Sequence, residues 1–541
     1  MTNTGTFSIK SWYRRRRYWG TAILLLLVYF CLIPSPLRVS PETTRITEPL
    51  TPDGMPDYYA VYERMWIGKL CPPEDNGQRL MIAACGPRVL EHGLTQHRWE
   101  ELPKDEYGKI WFENYWIPLC EHMFIDPYVK PPFYELREFF WTMKSVLKID
   151  DVESQKLWDK LVAEPWQAED YPEVAAWLKD YSPVLDLYGI AVRKPNFLCW
   201  RKRSDEGGTL WILLPDVQSN RAFARDLRIR ITERLGRGDI DGAWYDTMSM
   251  FYLAQKHYLN DPIIVINLVG VAVEKQACEA ARTILKYGQP NQEQLKRFSQ
   301  DLTDLPRHCV LSFDFEKIVL YDVLCRFYQG DKSIVSDTHF KSSDTKSKAM
   351  KFLAYLPLPF DANIAGKHIT EFVRTSGLSG QKHPIPLQKL IKLQHQLVEE
   401  KKKKTTLSSF RFWLSLPFIR TRSQLIADLI IAEFTPSLEP ADKALNRINA
   451  HFDLLRIAVA LEQYNKATKK YPEKLDELIP EYLNEIPLDL FTRRQTITYK
   501  IKPKDDTEYL IYSYGPNGKD DGGITERDAK HGEDVDIILE R

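Results

Sequence analysis

The chain has 541 residues, with 74 Lys and Arg balanced by 74 Asp and Glu, so its formal net charge at pH 7 is zero. This length exceeds a single hydrophobic core, and roughly two or three domains are expected. The lack of a basic excess argues against a nucleic-acid-binding protein, and 14 Trp with 27 Tyr residues exclude a disordered chain.

An uncharged apolar segment at 19–33 directly follows four arginines, Arg14 to Arg17. As a helix it covers about 22 Å, and interfacial Trp19 with snorkelling Arg17 extends it toward a hydrocarbon core of roughly 30 Å. Because the basic residues come first, the positive-inside rule keeps the N-terminus cytoplasmic and exports the rest. We therefore expect a cytoplasmic tail at 1–18 and a transmembrane signal anchor at 19–34, with the lipid bilayer as a partner.

A cleaved signal peptide is the alternative interpretation of this segment, because its apolar core is often equally short. Signal peptidase needs small residues just before the cut, whereas residues 30–33 are Phe-Cys-Leu-Ile and prolines follow. This ending favours an uncleaved anchor. The bulk of the chain is then extracytoplasmic.

Three regions follow the anchor. Proline and short polar residues dominate 35–57, which predicts an extended linker. Residues 58–215 are rich in aromatic side chains at helical spacing, which predicts a mostly helical region. Two β-like runs within it, at 197–200 and 209–214, flank an Asp-Glu-Gly-Gly turn and predict one small hairpin. Residues 216–435 are predicted to form a helical domain with a polar surface loop at 330–349.

Four helices are predicted between residues 219 and 304, and they cover 221–235, 240–259, 262–287 and 291–305. The third begins with Ile-Ile-Val-Ile-Asn-Leu-Val and is apolar nearly all round. We therefore expect it to be the central and most buried helix, with Val265, Leu268 and Val271 enclosed. Its β-branched residues leave a strand open as the alternative for the first turns. Asn291 is the predicted cap of the fourth helix.

The turn at 235–243, Leu-Gly-Arg-Gly-Asp-Ile-Asp-Gly-Ala, loosely resembles that of one tetratricopeptide-type hairpin. No second copy follows at a period of roughly 34 residues, so a repeat array is not predicted. Apart from its C-terminal part, the chain resembles uncharacterised bacterial membrane-anchored helical proteins.

The eight cysteines show neither a Cys-x-x-Cys pair nor the spacing of a disulfide framework. Most are expected to be buried thiols in the core. Export would permit a bridge such as Cys71 to Cys85, and the sequence leaves this alternative open.

The sequence contains no His-Glu-x-x-His motif, Walker loop or dinucleotide fingerprint. The Gly-Leu-Ser-Gly at 377–380 lacks the closing glycine of a nucleophile elbow. Non-catalytic binding or scaffolding is therefore the preferred function. The alternative is an envelope hydrolase with its active site in 58–215. A polar cleft with a histidine near a carboxylate and a Ser or Cys would favour the hydrolase, and an apolar groove would favour the binding protein.

The last hundred residues predict a helix packed on a small antiparallel sheet, an α+β module at 440–541. A helix at 441–468 precedes Tyr-Pro-x-x-Leu-x-x-Leu at 471–478 and Ile-Pro-x-Asp at 486–489. Strands are predicted at 496–501 and 508–514. A Gly- and Asp-rich loop follows at 515–523, and Asp-Val-Asp-Ile at 534–537 closes the module.

This order of motifs resembles the C-terminal domain of the major pseudopilin of type II secretion systems, over about 90 residues. The chain lacks that family's Phe-Thr-Leu-Ile-Glu start, and a long helical region separates its anchor from the module. The resemblance therefore implies a pseudopilin-type module fused to a bacterial membrane-anchored protein, with an envelope protein as the expected partner, and not a pilus subunit.

The pseudopilin resemblance also implies a calcium site, because that family holds calcium in its terminal loop. The corresponding side-chain oxygens here belong to Asn517, Asp520, Asp521, Asp534 and Asp536. Calcium binds six to eight oxygens, and glycines allow backbone carbonyls to contribute. Asn517 stands where the family has an aspartate, and Asp536 is the best match to its final aspartate. An ordinary solvated turn is the alternative.

The sequence as a whole predicts a mainly α fold. It comprises one transmembrane helix, a large helical exported region with a small β-hairpin, and the α+β module. The predicted location is the inner membrane of a bacterial cell, with the bulk of the chain outside the cytoplasm.

Overall fold

A computed structural model of the full chain describes residues 19–21, 34–66, 71–90, 112–201, 208–209, 212, 214–306, 314–331, 359–375, 396, 399–400, 403, 418–435, 438–492, 495–501, 508–523 and 536–540. These residues are mainly helical, with one small antiparallel sheet in the C-terminal module, which confirms the predicted fold class at that level.

The helices are, in chain order, α1 (Tyr58–Trp66), α2 (Gly77–Cys85), α3 (Ile117–Met123), α4 (Phe139–Leu147), α5 (Asp151–Ala163), α6 (Pro172–Ala191), α7 (Pro215–Gly236), α8 (Ile240–Phe251), α9 (Ile264–Thr283), α10 (Gln292–Asp304), α11 (Asp314–Tyr328), α12 (Ala362–Thr375), α13 (Ile419–Phe434) and α14 (Leu438–Thr468). The strands are β1 (Thr498–Ile501), β2 (Tyr509–Ser513) and β3 (Ile537–Glu540).

The chain divides into two compact units, each assembled from separate stretches. The first unit takes residues 1–65, 203–212 and 313–439, and the second takes 66–202, 213–312 and 440–541. The units therefore do not follow the contiguous regions 58–215 and 216–435 that the sequence suggests.

Among the residues that the structure describes, no helix is both long enough and apolar enough to cross a bilayer. Of the predicted tail and anchor, only residues 19–21 and 34 belong to the described set, and residues 19–21 are helical and exposed. Residues 1–18 and 22–33 lie outside it. The anchor therefore stays a prediction.

The first unit is a bundle of α11, α12 and α13, which pack on one another. Ala365, Ile369 and Phe372 follow at helical spacing on the buried face of α12. On α13 the hydroxyl group of Ser423 accepts a hydrogen bond from the backbone N–H of Asp361 at 2.8 Å, just before α12 begins. This bond ties the two helices together at that end.

Residues 34–57, predicted as an extended linker, are packed against this bundle. The hydroxyl of Thr370 donates to the carbonyl of Glu42 at 2.8 Å, and that of Tyr58 donates to the carbonyl of Thr44 at 2.7 Å. At Gly366 a Cβ atom would lie 2.1 Å from the carbonyl oxygen of Thr43, so only glycine permits this approach. Proline-rich chain is extended, and its free carbonyls accept such bonds readily, so the composition suits a docked segment as well as a linker.

The four helices predicted at 219–304 are confirmed as α7 to α10 of the second unit. Asn291 caps α10 in a reciprocal pair, because its side chain accepts from the N–H of Gln294 at 2.9 Å while the Gln294 side chain accepts from the N–H of Asn291 at 3.0 Å. Asp239 caps α8 through a single bond, because its side chain accepts from the N–H of Gly242 at 2.9 Å. Both caps use local contacts that the sequence specifies.

The prediction that α9 is enclosed on all sides was wrong. Val265 is 53% exposed, Leu268 is 37% exposed, and Val271 is half-buried. The buried face instead carries Asn267, whose amide donates to the carbonyl of Tyr258 at 2.7 Å, and Glu274, which accepts from the Gln255 amide at 2.7 Å. These hydrogen bonds offset part of the cost of burying the two polar side chains, which lie on the buried face beside Ile266. The first turns are helical, which excludes the strand alternative.

A buried ionic cluster joins α6, α7 and α8. The guanidinium of Arg230 on α7 donates to both carboxylate oxygens of Asp246 on α8, at 2.8 and 2.6 Å. It also donates to Asp186 on α6 at 2.7 Å. The side chains of Arg230 and Asp246 are 2% and 0% exposed, whereas that of Asp186 is 60% exposed. The bidentate geometry is the strongest form of such a pair.

The predicted strand at 197–200 is not formed, so the hairpin prediction was wrong for its first arm. The side-chain amide of Asn76 donates to the carbonyl of Leu198 at 2.9 Å and accepts from its N–H at 3.0 Å. A side chain thus satisfies both backbone groups that a neighbouring strand would bind. Most of the second arm, at 210–211 and 213, lies outside the described residues.

The predicted C-terminal helix and its two strands are confirmed as α14, β1 and β2, and β3 adds a third strand. The order is β1-β2-β3, and both pairs are antiparallel. Tyr471 connects helix and sheet, because its hydroxyl donates to Glu462 of α14 at 2.9 Å and its ring packs edge-on against Tyr509 of β2. The Tyr-Pro motif therefore has a structural role.

Five cysteines are buried free thiols, as predicted: Cys85, Cys120, Cys199, Cys278 and Cys325. Cys71 is half-buried and also free, so the Cys71–Cys85 bridge that the sequence left open is not formed. Cys31 and Cys309 lie outside the described residues.

Candidate binding sites

An apolar groove of 220 Å³ lies in the second unit, between α2, Trp116 at the start of α3, and the segment that follows α3. Ile82 lies at its base, and Arg79 and Asp126 are its charged members. The remaining lining residues are apolar, namely Ala83, Trp116, Phe124, Ile125, Val129 and Pro131. Sequence reasoning placed packed helices here and did not identify the groove.

Exposed apolar side chains surround this groove. Phe124 is 66% exposed, Tyr128 is 71% exposed and Val129 is 60% exposed. Phe124 and Val129 line the groove, and Tyr128 is the neighbour of Val129 in the chain. Clustered exposed apolar side chains on a soluble surface mark interaction sites, whereas isolated ones do not.

Phe124 is held in place by its own backbone and by Arg79. It ends α3 with φ = 54°, a left-handed conformation that is unusual for a bulky residue. The guanidinium of Arg79 donates to the carbonyls of Met123 and Phe124, both at 2.7 Å. These bonds satisfy carbonyl groups that have no N–H donor within the helix. The backbone from which the aromatic ring projects is thus fixed before a partner binds.

Within the described part of region 58–215, the contacts of a single histidine bear on the hydrolase alternative. His122 is the only histidine in this described part, and its Nδ1 lies 2.7 Å from the carbonyl oxygen of Pro118. Its ring stacks on Trp200 at 4.5 Å between centroids. The imidazole therefore contacts a carbonyl and an indole, and not the carboxylate that would orient a general base.

The second candidate site is the terminal loop at 515–523, followed by Asp536. Asn517 donates its amide to a carboxylate oxygen of Asp521 at 2.7 Å. Asp520 accepts from the Tyr512 hydroxyl at 3.0 Å and from the N–H of Gly522 at 2.9 Å. The structure thus brings together four of the five predicted ligands. Asp534 lies outside the described residues.

Asp536 is the buried centre of this loop, with 1% exposure. It accepts from the N–H of Gly523 at 2.8 Å and of Asp521 at 3.4 Å. Burial raises the pKa of its carboxyl group, and the negative charges of Asp521 and Asp520 raise it further. The charges of Asp520 and Asp521 therefore disfavour the charged form of Asp536.

The oxygen donors of the loop suit calcium, but its own hydrogen bonds engage them in this structure. Within the part of the chain that the structure describes, no three acidic, histidine or cysteine side chains are arranged to hold a metal ion. A bound calcium would have to replace the Asn517–Asp521 contact and recruit carboxylate oxygens of Asp520 and Asp521.

Two residues outside the predicted ligand set shape this loop. Asp489 is 2% exposed, and its carboxylate accepts from the N–H groups of Phe491 at 2.8 Å and Tyr514 at 2.9 Å. It anchors the start of the loop to the preceding turn. Tyr512 fixes Asp520 from β2. The Ile-Pro-x-Asp motif was the sequence signal for Asp489.

Comparison of the chain with protein-family models, with curated proteins and with solved structures gives no match.

Proposed function

We propose that this chain is a membrane-anchored, non-catalytic binding protein of a bacterial cell envelope. The observation that carries the proposal is the apolar groove with exposed Phe124, Tyr128 and Val129. Its volume of 220 Å³ falls below the roughly 300 Å³ at which sites for whole small molecules begin. It accommodates one or two apolar side chains, so a segment of a partner protein is the ligand.

The charges of the groove indicate which kind of segment binds. The guanidinium of Arg79 is engaged by two carbonyls of the helix end. Asp126 is exposed and lines the groove. A partner segment that presents an apolar side chain beside a basic residue would pair with the exposed carboxylate of Asp126.

Photocrosslinking in living cells tests the groove. With p-benzoylphenylalanine at position 124 or 128, we expect one discrete covalent adduct with an envelope protein. Introducing Val129→Asp into these variants is expected to reduce the amount of adduct about tenfold or more. Burying a charged side chain in an apolar contact costs more free energy than the contact contributes to binding. Immunoblotting of the adducts measures both effects.

Exposed apolar positions away from the groove supply the controls. Val152 and Ile190 are 60% and 50% exposed and do not line the groove, so the probe placed there should give no discrete adduct. Val146→Asp is the matched control for Val129→Asp. Equal adducts at positions 124 and 152 would contradict the proposed site.

The proposed location at the membrane rests on the anchor at 19–34, which the arginines at 14–17 support. We would fuse, after Arg541, a reporter enzyme that works only outside the cytoplasm, and we expect the fusion to show reporter activity. The protein should also stay with membranes after an alkaline wash. A soluble mature form that starts near residue 35 would show a cleaved signal peptide and contradict the anchor.

We further propose that the terminal loop binds calcium, which the clustered carboxylates of Asp520, Asp521 and Asp536 support together with the pseudopilin resemblance. Terbium is a luminescent substitute for calcium, and Tyr512 lies beside the loop as a sensitiser. We expect tyrosine-sensitised terbium emission from the full chain that calcium displaces.

The variant Asp521→Asn should lose this emission, because it removes a charged ligand but keeps the shape of the side chain. Asp476→Asn removes an exposed carboxylate outside the loop and should leave the emission unchanged. Equal terbium emission from the two variants would contradict the proposal that the loop binds calcium.

A further inference from the structure

A polar pocket of 490 Å³ lies in the second unit between α10, α14 and the turn at 480–484. One wall is a stripe along α10 with one member per turn. Its residues are Gln292, Lys296, Ser299 and Thr303, with Gln300 beside them. The opposite face of α10 carries the apolar residues Leu295 and Phe298, which are buried in the core. The pocket therefore uses the polar face of a well-anchored amphipathic helix.

The second wall belongs to α14, which presents Arg456 and Gln463 two turns apart. Gln463 is 6% exposed, and its amide nitrogen has no hydrogen-bond acceptor within the described parts of the chain. A buried donor without an acceptor is costly and uncommon in folded proteins. Because this donor lines the pocket, a ligand that presents an acceptor oxygen would satisfy it.

The third wall is the turn at 480–484. The backbone N–H groups of Tyr482 and Leu483 both donate to the carbonyl of Leu478, at 2.9 and 3.1 Å, and hold the turn. The Tyr482 ring packs edge-on against Tyr464 of α14 at 6.0 Å. This wall is thus tied to α14 and ordered before any ligand binds.

The pocket has an excess of positive charge. Lys296 and Arg456 line it, and neither forms an ion pair with another residue in the ranges that the structure describes. Among the lining residues that the structure describes, Glu481 is the single acidic one. The other polar members are amides and hydroxyls, which bind the hydroxyl groups of a ligand. The volume lies within the roughly 300–1,000 Å³ typical of small-molecule sites.

We propose that this pocket binds a small oxyanion carried on a hydroxyl-rich body, namely a sugar acid or a sugar phosphate. The guanidinium of Arg456 and the ammonium of Lys296 bind the oxyanion, and the Gln463 amide donates to one of its oxygens. The amides and hydroxyls of α10, together with Glu481, bind the sugar hydroxyls. This site is separate from the apolar groove and from the terminal loop, so its test does not depend on theirs.

Calorimetric titration of the full chain in detergent with four probes tests the proposal. D-galacturonate presents a carboxylate, glucose 6-phosphate presents a phosphate, galactose is the neutral control, and inorganic phosphate lacks the sugar. At least one of the two anionic sugars is expected to bind about tenfold or more tightly than galactose and inorganic phosphate. Binding of one anionic sugar and not the other identifies the oxyanion. Equal binding of galactose, equal binding of inorganic phosphate, or no binding of either anionic sugar would overturn the proposal.

Variants assign the binding to this pocket. Lys296→Gln alters an exposed residue, and Arg456→Gln alters a half-buried one. Each should weaken the anionic sugar about tenfold, and Gln463→Leu should weaken it by removing the buried donor. Lys466→Gln removes an equal charge from α14 outside the pocket and should change nothing. Unchanged binding in both Lys296→Gln and Arg456→Gln, or an equal loss in Lys466→Gln, would overturn the assignment.

Discussion

Replacing Asp246 with alanine is expected to lower the free energy of unfolding of the second unit by about 3 to 5 kcal/mol. The change leaves the Arg230 guanidinium buried without its bidentate partner. Asp186 is largely exposed and binds only one nitrogen of Arg230, so it cannot compensate for the lost carboxylate. Urea unfolding followed by tryptophan fluorescence measures the difference.

The double variant Arg230→Met with Asp246→Leu should recover part of the loss, because it removes the buried Arg230–Asp246 pair together. Arg234 loses its 3.1 Å contact with Asp246 in this variant, but Asp186 and Asp239 remain within 4 Å of it. Lys144→Ala breaks an exposed ion pair with Asp151 in the same unit and is expected to cost about 1 kcal/mol or less. Similar decreases in the free energy of unfolding for Asp246→Ala and Lys144→Ala would show that the buried Arg230–Asp246 pair does not stabilise the fold as its geometry indicates.

Replacing Ile266 with alanine is expected to cost about 2 to 5 kcal/mol, because Ile266 is 0% exposed on the inner face of α9. Replacing Leu268 with alanine, two residues further along, should cost about 1 kcal/mol or less, because its side chain faces outward. Both substitutions make similar changes in helix propensity, so the difference reports burial alone. The same urea titrations compare them.

Equal costs at Ile266 and Leu268 would show that the outer face of α9 is covered, as its composition first suggested. Val265→Ala serves as a second measurement on that face, since Val265 is 53% exposed. A small cost at both outer positions and a large one at Ile266 would agree with the structure.

Local features of this protein were predictable from the sequence. The starts of α8 and α10 depend on Asp239 and Asn291, whose side chains bind N–H groups three residues ahead. The strands β1 and β2 and the helix α14 follow from apolar periodicity. Each of these features depends on contacts within a few residues, so composition and spacing are sufficient to predict it.

The exposed face of α9 could not be predicted in this way. Hydrophobicity alone favours burial of Val265 and Leu268 and exposure of Asn267 and Glu274. The folded chain reverses this preference, because the carbonyl of Tyr258 and the amide of Gln255 form hydrogen bonds with the two polar side chains. A sequence shows that a side chain is polar, but it does not show whether the fold supplies its partner.

The binding surfaces also depend on tertiary structure. Arg79 and Phe124 come from stretches 45 residues apart in sequence and meet at the end of α3. Lys296 and Arg456 are still further apart, and neither belongs to a recognisable motif. The sequence by itself determined the anchor candidate, the helices with their caps, and the acidic terminal loop. Only the tertiary structure decided which charges are buried as pairs and which polar and apolar side chains line a groove or pocket, because burial depends on contacts between distant segments.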